Sequence, residues 1–286
     1  MYSKDFTGSV MQRDTITFFK WIIPLSLAWG IAYPLTKLVT FSVSPILVSV
    51  ARVIIGTIFF YFLGRGFSIG IKQFVNALFN VIILLASVNV GIYLSPSPGL
   101  VATMIYTQPI FVLVIELILG SKISLRGMSG VIIGVLGVLI SATLSFNIGL
   151  LSGIMGSLSW AIGTVYYYRN LSKDNVIKLN AFMSLISIPF LSSLTPLDYY
   201  FNFSVTSVVL LLILALIAQV AGFYFWFNAV RDLGSVSAST GSLLVPVIAY
   251  LTSILILKVI PNVPEIIGLI LILIGVYLSL NSRNGK

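Results

Sequence analysis

The sequence predicts an all-α membrane protein with ten transmembrane helices, arranged as two inverted-topology repeats of five helices each. Three observations predict this class: the composition, the placement of the basic residues, and motifs that occur twice. Of the 286 residues, 58% are hydrophobic and only 8% are charged, whereas a soluble domain carries about 25% charged residues. The chain has too little polar surface to cover a soluble globule, so lipid must surround most of it.

Ten apolar segments are long enough to cross a bilayer. A helix of about 20 residues spans the hydrocarbon core, and helices are favoured because lipid offers no hydrogen-bond partner to backbone amides. Short turns separate the segments, so neighbouring helices run antiparallel. The predicted spans, numbered one to ten, are 18–38, 45–63, 73–94, 98–119, 126–144, 149–168, 178–195, 205–229, 235–257 and 264–281.

Most basic residues lie on one side of the membrane in this ten-span arrangement. Thirteen of the 16 Lys and Arg residues fall in the termini and the even-numbered turns, and cytoplasmic connections are the ones that retain Lys and Arg. We therefore expect a multi-pass integral protein of the cell (plasma) membrane with both termini in the cytoplasm. The thirteen are Lys4, Arg13, Lys20, Arg65, Lys72, Lys122, Arg126, Arg169, Lys173, Lys178, Arg231, Arg283 and Lys286.

Two motifs occur once in each half of the chain. The pattern S-L-x-W-x-I occurs at 26–31 and again at 157–162, and the pattern G-x6-G-V-x-x-S occurs at 130–141 and again at 268–279. A repeat with an odd number of spans enters the membrane from the opposite side the second time. Such inverted repeats are a common construction of secondary transporters, whose substrate site lies near the midplane between the halves.

The motifs and the charge pattern together predict the domain organisation. Residues 1–17 form a polar cytoplasmic segment, and the long apolar stretch after it is a first span and not a removable signal. The first five-helix repeat covers 18–144, and the second, inverted repeat covers 149–281. Residues 282–286 form a cytoplasmic tail.

The paired motifs resemble those of EamA-type proteins in the drug/metabolite transporter (DMT) superfamily, over nearly the whole chain. The resemblance implies ten helices, cytoplasmic termini, a central cavity and transport of small metabolites such as amino acids, often outward. The residues that carry it are Trp29-Gly30, Pro45 with Arg52, Ala102 to Pro109, Gly130 to Gly137, Trp160, Pro246, and Gly268 to Gly275.

The chain departs from this family in its acidic residues. EamA-type proteins commonly have a Glu just after spans four and nine, where this chain reads Gly-Ser-Lys at 120–122 and Leu-Lys-Val at 257–259. A role that this Glu has in relatives is therefore not expected here.

Two charged residues lie well inside the predicted spans, where charges are costly and usually functional. Arg52 lies roughly 10 Å from the outer end of span two, and Glu116 lies roughly 27 Å from the outer end of span four, at 1.5 Å per residue. This separation in depth excludes a direct ion pair. We expect Glu116 to reach the interface and meet Lys20, Lys122 or Arg126. Arg52 either braces backbone carbonyls or binds a carboxylate or phosphate of a substrate.

Polar and aromatic side chains collect near the midplane of matching spans in both halves. Trp29 and Trp160 lie in mid-span, although tryptophan is usually enriched at the membrane interfaces. A single residue of this kind can simply bond one helix to another, but the set predicts an amphipathic, aromatic-lined cavity between the repeats. The candidate substrate-binding residues are Trp29, Tyr33, Arg52, Asn89, Tyr93, Tyr106, Gln108, Trp160, Thr164, Gln219 and Trp226.

Prolines and glycines provide candidate hinge and packing positions. Proline removes a helix hydrogen bond and can kink or hinge a span, whereas glycine permits close packing of helices. Static packing explains these residues equally well. The candidates are Pro109, Pro246, Gly130, Gly134, Gly268 and Gly275.

The residue types that the chain lacks argue against several classes of function. The chain has no Cys and no His, so it predicts no catalytic residues, no metal site and no cofactor, and an intramembrane enzyme is disfavoured. The net charge of +9 is explained by topology and does not indicate nucleic-acid binding.

These exclusions leave a secondary transporter of small organic metabolites, such as amino acids or related solutes, working by export or exchange. Alternating access around a midplane cavity is the expected mechanism. The alternative is a nucleotide-sugar or phosphorylated-metabolite carrier, or a lipid flippase, on the same scaffold. Because Glu116 is the one carboxylate well inside the predicted spans, a facilitator or exchanger is favoured over a proton antiporter. The expected partners are the solute and the lipid bilayer, and the protein is a monomer or a homodimer.

Overall fold

The computed structural model of the protein describes residues 4–94, 104–141, 148–258 and 262–281. These residues are almost entirely helical, with one isolated antiparallel bridge between Val43 and Phe201. The helices are α1 (Lys4–Val39), α2 (Pro45–Gly64), α3 (Ile71–Ala77), α4 (Leu84–Leu94), α5 (Gln108–Ile118), α6 (Leu125–Ser141), α7 (Ile148–Asn170), α8 (Val176–Ser192), α9 (Val205–Leu214), α10 (Gly222–Leu233), α11 (Ser235–Ser242), α12 (Leu244–Leu257) and α13 (Val263–Asn281).

Two spans contain a π-helical turn. The first π turn, Leu78–Ile83, joins α3 to α4, and the second π turn, Ala215–Ala221, joins α9 to α10. Each interrupted pair of helices forms one continuous rod, which corresponds to predicted span three or predicted span eight. The two rods occupy equivalent places in the two repeats, so the π turns are also equivalent.

The helices agree with the predicted spans. Helices α1, α2, α6, α7, α8 and α13 correspond to spans one, two, five, six, seven and ten, and α5 forms the described part of span four. Among the described residues, five helical stretches are long and apolar enough to cross a membrane, and four shorter helices are also apolar. The predicted class of a ten-helix membrane protein is confirmed. The five long stretches are Thr15–Val39, Pro45–Gly64, Ile71–Gly91, Val205–Leu233 and Ser235–Ile256.

Local sequence signals define several helix ends. Pro45 occupies the first turn of α2, where a missing backbone N–H costs nothing. The side chain of Asn175 accepts hydrogen bonds from the first backbone amides of α8. Ser204 and Ser207 form a capping box at the start of α9.

Helices α6 and α13 cross where the glycine motif meets its own second copy. A Cβ atom on Gly130 would lie 2.7 Å from the carbonyl oxygen of Gly275, and a Cβ on Gly275 would lie 2.6 Å from the oxygen of Gly130. Gly137 and Gly268 face each other in the same reciprocal way. Equivalent residues thus exchange partners about a two-fold axis, which is the packing expected of an inverted repeat.

The remaining helix contacts follow the same symmetry. Helix α1 packs against α10 and α12 of the second repeat, and α7 packs against α4 and α5 of the first. Helices α2 and α8, which are equivalent, pack against each other. The first helix of each repeat therefore lies among helices of the other repeat.

The bundle has two distinct ends. We call the end at the connections 65–70, 119–124 and 171–175 the basic side, because most Lys and Arg residues lie there. We call the end at the connections 40–44 and 193–204 the far side.

A clasp of main-chain hydrogen bonds joins two connections on the far side. The N–H of Ser44 donates to the oxygen of Tyr200 at 3.0 Å, and the N–H of Asn202 donates to the oxygen of Ser42 at 2.7 Å. The N–H of Ile46 donates to a carboxylate oxygen of Asp198 at 3.2 Å. Burial raises the pKa of the Asp198 carboxyl, and the Ile46 N–H partly opposes that rise.

A second clasp closes the equivalent connections on the basic side. Here Asp174 accepts hydrogen bonds from the Ser68 hydroxyl at 2.9 Å and from the Gln73 amide at 2.7 Å. The N–H of Ser68 donates to the oxygen of Lys178 at 3.1 Å. The two clasps hold α2 and α8 together at both ends of the bundle.

Candidate functional site

Three tryptophans from three helices meet in the middle of the bundle. The ring centroids of Trp29 and Trp160 are 5.6 Å apart, and Trp226 lies 5.8 Å from Trp29 and 4.9 Å from Trp160. Trp29 and Trp160 occupy the same place in the two copies of S-L-x-W-x-I, so the repeat symmetry brings them together. We call these three residues the tryptophan cluster.

The tryptophan cluster combines buried and accessible surfaces. Trp226 and Trp160 are buried, and the indole nitrogen of Trp226 has no hydrogen-bond partner. Trp29 is half-buried, and its indole N–H donates to the carbonyl oxygen of Ala218 at 3.0 Å. The cluster therefore has one aromatic face that a ligand can reach.

Two tyrosines extend the tryptophan cluster toward the far side. Tyr33 follows Trp29 by one helical turn, and its ring lies 6.2 Å from that of Tyr106. Tyr106 in turn lies 6.2 Å from Trp160, edge to face. The rings of both repeats form one continuous aromatic surface.

Arg52 lies beside this surface on α2. Tyr33 is its electrostatic neighbour, and its Nε is buried without a hydrogen-bond partner. Two ion pairs form among the side chains that the structure describes, and Arg52 belongs to neither. One turn earlier on α2, Ser49 accepts a hydrogen bond from the buried Asn89 amide of α4 at 2.8 Å.

Two of the candidate amides bond neighbouring helices. Gln108 of α5 donates to the Thr164 hydroxyl of α7 at 3.2 Å, one turn from Trp160. Gln219 lies in the second π turn and donates to the Ser184 hydroxyl of α8 at 3.3 Å. In both amides the side-chain oxygen is buried without a partner. Gln108 borders the tryptophan cluster, whereas Gln219 faces α8.

Donors from the two S-L-x-W segments bind the two π turns. A π turn leaves main-chain carbonyls without their usual helical partners. The Ser159 hydroxyl donates to the oxygen of Phe79 in the first π turn at 2.8 Å. Trp29 donates to Ala218 in the second. Each repeat thus supplies a donor, beside or at its central tryptophan, to the π turn of the other repeat.

A buried amide pair near the first π turn was not among the predicted residues. Asn80 donates to the Asn76 side-chain oxygen at 2.8 Å, and Asn76 donates to the sulfur of Met183 at 2.9 Å. The side-chain oxygen of Asn80 has no partner. The signal was present in the sequence, because two Asn residues four apart in an apolar helix share one face.

Glu116 is the centre of a hydrogen-bond network on the basic side. Its carboxylate accepts from Arg169 at 2.6 Å, from Ser121 at 2.6 Å and from Ser235 at 2.5 Å. These bonds join α5, α7 and α11. We call these four residues the basic-side network. Three of them, Glu116, Ser121 and Ser235, border a cavity of about 410 Å³.

The predicted partners of Glu116 were wrong. Arg169 is the partner, and Lys20, Lys122 and Arg126 are not. The physical reason is that α5 packs directly against α7, so the end of α7 is next to Glu116. The Lys20 ammonium lies instead over the ring of Trp21, 4.3 Å from its centroid.

A second contact closes the basic side between α1 and α10. The indole N–H of Trp21 donates to a carboxylate oxygen of Asp232 at 2.8 Å. Arg231 pairs with the same carboxylate at 2.7 Å. In this conformation, side-chain hydrogen bonds thus join α1 to α10, and α5 to α7 and α11, on the basic side.

The candidate hinge prolines lie just after breaks in their spans. Tyr106 and Thr107 form a turn immediately before α5, and Pro109 occupies its first turn. Leu243 separates α11 from α12, and Pro246 is the third residue of α12. The interruptions are at equivalent places in spans four and nine. The side chain of Tyr93 lies outside the described residues.

Comparisons with known proteins agree with this architecture. The model of the EamA-like transporter family matches the chain twice, over residues 18–143 and 147–281. A solved crystal structure of a protein superposes with a TM-score of 0.78 over 95% of this chain and 98% of that chain, at 17% identity. At that identity the likeness shows the fold alone.

Two curated relatives cover most of the chain at low identity, and a third covers about half of it. An uncharacterized transporter, YvbV, of Bacillus subtilis is 25% identical over 89% of this chain and 88% of its own length. A probable amino-acid metabolite efflux pump of Escherichia coli is 23% identical over 88% of this chain and 90% of its own length. An uncharacterized transporter of Acidianus ambivalens is 28% identical over 49% of this chain and 56% of its own length.

Proposed function

Because this chain belongs to the EamA-like transporter family, we propose that it carries small organic metabolites, amino acids or related solutes, through the membrane by alternating access. The transported solute binds at the tryptophan cluster and the adjoining tyrosines. The observation that carries the proposal is that Trp29 and Trp160, equivalent residues of the two repeats, contact each other at 5.6 Å in the centre of the bundle. A relative named as an amino-acid metabolite efflux pump supports the solute class.

The closed basic side supports alternating access. The basic-side network and the Trp21–Asp232 bond close one end of the path. Since the repeats are inverted, exchanging their conformations would open this end and close the other. We infer that the bundle alternates between the observed conformation and its counterpart.

The interrupted helices are the segments that bend in this exchange. The two π turns and the breaks before Pro109 and Pro246 occur in pairs, one per repeat. Interrupted helices have fewer main-chain hydrogen bonds to lose on bending. Trp29 and Ser159 donate to the π turns from the opposite repeat, so a ligand that displaces these side chains also releases a π turn.

We propose that the basic side faces the cytoplasm of the cell and that transport is export or exchange. The positive-inside rule supports this orientation, because the connections on that side carry most of the Lys and Arg residues. Glu116 is paired with Arg169 in the basic-side network, which leaves it unsuited to carry protons. We therefore favour a facilitator or an exchanger over a proton antiporter.

Counterflow in proteoliposomes tests the proposed function. Vesicles containing the purified protein are loaded with unlabelled amino acids and supplied with the labelled compounds, one at a time. We expect accumulation of at least one, and an imposed pH gradient alone should drive none. Trp160→Ala should abolish accumulation, whereas Trp160→Phe, which keeps an aromatic ring, should retain part of it. No flux for any compound by folded protein would contradict the proposal.

A further inference from the structure

We propose that Arg52 binds the carboxylate of the transported solute and so restricts transport to carboxylate-bearing molecules. This inference rests on the proposed function and identifies a chemical group that the solute must carry. It is independent of which amino acid or related acid is transported.

The first argument is the uncompensated charge of Arg52. A cation inside a membrane bundle is costly unless an anion or acceptor groups compensate it. The Nε of Arg52 is buried and has no partner, so the alternative in which Arg52 braces backbone carbonyls receives no support from this atom. Tyr33, its electrostatic neighbour, is a neutral phenol.

The four acidic side chains that the structure describes have partners elsewhere. Glu116 and Asp232 take part in contacts on the basic side, and Asp174 and Asp198 belong to the two clasps. Asp5 and Asp14 lie in the part of α1 that precedes the first predicted span, and Glu265 is the third residue of α13. A ligand anion is thus the natural counter-charge for Arg52.

The second argument is the position of Arg52 beside the aromatic surface. Arg52 and Tyr33 are electrostatic neighbours, and both are partly exposed. From Tyr33 the surface continues through Tyr106 to Trp160, with successive ring centroids 6.2 Å apart. A solute held by its carboxylate at Arg52 would lay its remaining atoms on the partly exposed rings of Tyr33 and Trp29, because Tyr106 and Trp160 are buried. Aromatic faces accept both apolar groups and ammonium groups.

The third argument concerns the support of the arginine. Ser49, one turn before Arg52 on α2, is buried and bonded to Asn89 of α4. This bond fixes the stretch of α2 that carries Arg52. Gly56, one turn after Arg52, packs closely against Gln219, because a Cβ atom there would lie 2.7 Å from the Gln219 Cγ. The guanidinium therefore projects from a firmly held part of the helix.

A single guanidinium suits a carboxylate better than a phosphate. The planar fork of arginine matches the two oxygens of a carboxylate, and one positive charge balances one negative charge. A phosphate ester carries a charge of about −1.5 to −2 at neutral pH, which one arginine leaves partly uncompensated in a low-dielectric site. We therefore assign the carboxylate, and transport of phosphate esters is an outcome that the experiment must exclude.

Matched sets of small probes test this assignment. The first set is leucine, isoamylamine and 4-methylpentanoate, and the second is phenylalanine, phenethylamine and 3-phenylpropanoate. Within each set, the amine lacks the carboxylate and the acid lacks the ammonium group. Binding is measured by quenching of the intrinsic tryptophan fluorescence, since three of the four tryptophans form the tryptophan cluster. Transport is measured by competition in counterflow, with glucose 6-phosphate as the phosphate-ester probe.

We expect the two carboxylate-bearing members of a set to bind about 10- to 100-fold more tightly than the amine, the difference that a charge-assisted hydrogen bond provides. Arg52→Gln should remove this preference and leave amine binding unchanged. Arg52→Lys, which keeps the charge without the planar fork, should give an intermediate preference. Lys37→Gln removes an exposed basic residue from α1 and is the matched control, with no expected effect. Thermal unfolding verifies that each variant is folded.

Two results would overturn the assignment while leaving the proposed function intact. One is equal transport of the amine and the acid by the wild-type protein. The other is an Arg52→Gln protein that keeps the preference for carboxylates. Preferential transport of the phosphate ester would also contradict it. Absence of flux for every compound would contradict the proposed function and this inference together.

Discussion

At the scale of single residues, Trp29 connects the candidate site to the second π turn. Its ring packs on Trp160 and Trp226, while its N–H holds the carbonyl of Ala218 in the second π turn. An aromatic contact contributes about 0.5–1.5 kcal/mol beyond burial, and a hydrogen bond contributes about as much. A solute that reorients one indole ring therefore changes both interactions at once.

At this scale, the repeat symmetry determined which residues could be predicted. Trp29 and Trp160 were identifiable because equivalent positions of an inverted repeat meet at its axis. The partner of Glu116 was not identifiable, since Lys122 and Arg126 lie nearer in the sequence than Arg169 and helix packing determines the pairing. The sequence also could not indicate that the Nε of Arg52 is unpaired, because a sequence shows a charge and not its neighbours in space.

We expect the stability of the protein to depend on pH through Asp198, which belongs to the clasp on the far side. Burial raises its pKa, so the folded protein binds this proton more tightly than the unfolded chain does. Stability should therefore fall as pH rises from the unfolded pKa, about 3.9, through the folded pKa, and stay constant above it. Asp198→Asn keeps an acceptor for the Ile46 N–H and cannot ionise.

The variant should remove that part of the pH dependence, and it should be at least as stable as the wild type at neutral pH. Thermal unfolding in detergent across this range measures both. If the wild-type and variant profiles have the same slope, burial of the Asp198 carboxylate does not limit stability.

At the scale of helices, the spans were predictable and their interruptions were less so. Span lengths follow from the thickness of the bilayer, and each predicted span corresponds to a described helix or to a pair of consecutive helices. A π turn inserts one residue without changing the apolar character of a helix. The composition of the stretches 78–83 and 215–221 therefore does not indicate that they are π-helical. The breaks before α5 and within span nine were marked by Pro109 and Pro246, although each proline starts a helical segment and does not kink one.

At the crossing of α6 and α13, we expect a single added methyl group to lower the stability of the protein strongly. A Cβ atom on Gly275 would lie 2.5 Å from the backbone nitrogen of Gly134 and 2.6 Å from the oxygen of Gly130. Backbone atoms cannot move aside as a side chain can, so Gly275→Ala should destabilise the protein by about 1–3 kcal/mol.

Gly156→Ala is the matched control. Its added Cβ would meet the Ser87 Cβ at 3.3 Å, a contact that a small shift relieves. Thermal unfolding of the two variants compares them directly. Equal stability of Gly275→Ala and the control would show that the helices are free to separate at this crossing.

At the scale of the whole molecule, one two-fold relation organises the structure. It pairs α6 with α13, places α1 and α7 each among helices of the opposite repeat, and joins α2 to α8 by a clasp at each end. The symmetric elements surround the tryptophan cluster. In our proposal, the asymmetric elements, Arg52 and the basic-side network, determine which solute binds and which end is closed.

A reversible disulfide crosslink within the basic-side network tests alternating access most directly. Ser121 and Ser235 bond to the two oxygens of the same Glu116 carboxylate, at 2.6 and 2.5 Å, so their side chains lie close together. The chain contains no cysteine, and a protein with Ser121→Cys and Ser235→Cys would have these as its sole thiols. Each single variant under the same oxidant controls for oxidation without a crosslink.

Counterflow of the transported solute should stop when the two cysteines are oxidised to a disulfide and resume when it is reduced. The account predicts this loss and recovery because transport requires the basic side to open. A crosslinked protein that transports at the rate of its reduced form would contradict alternating access around the tryptophan cluster.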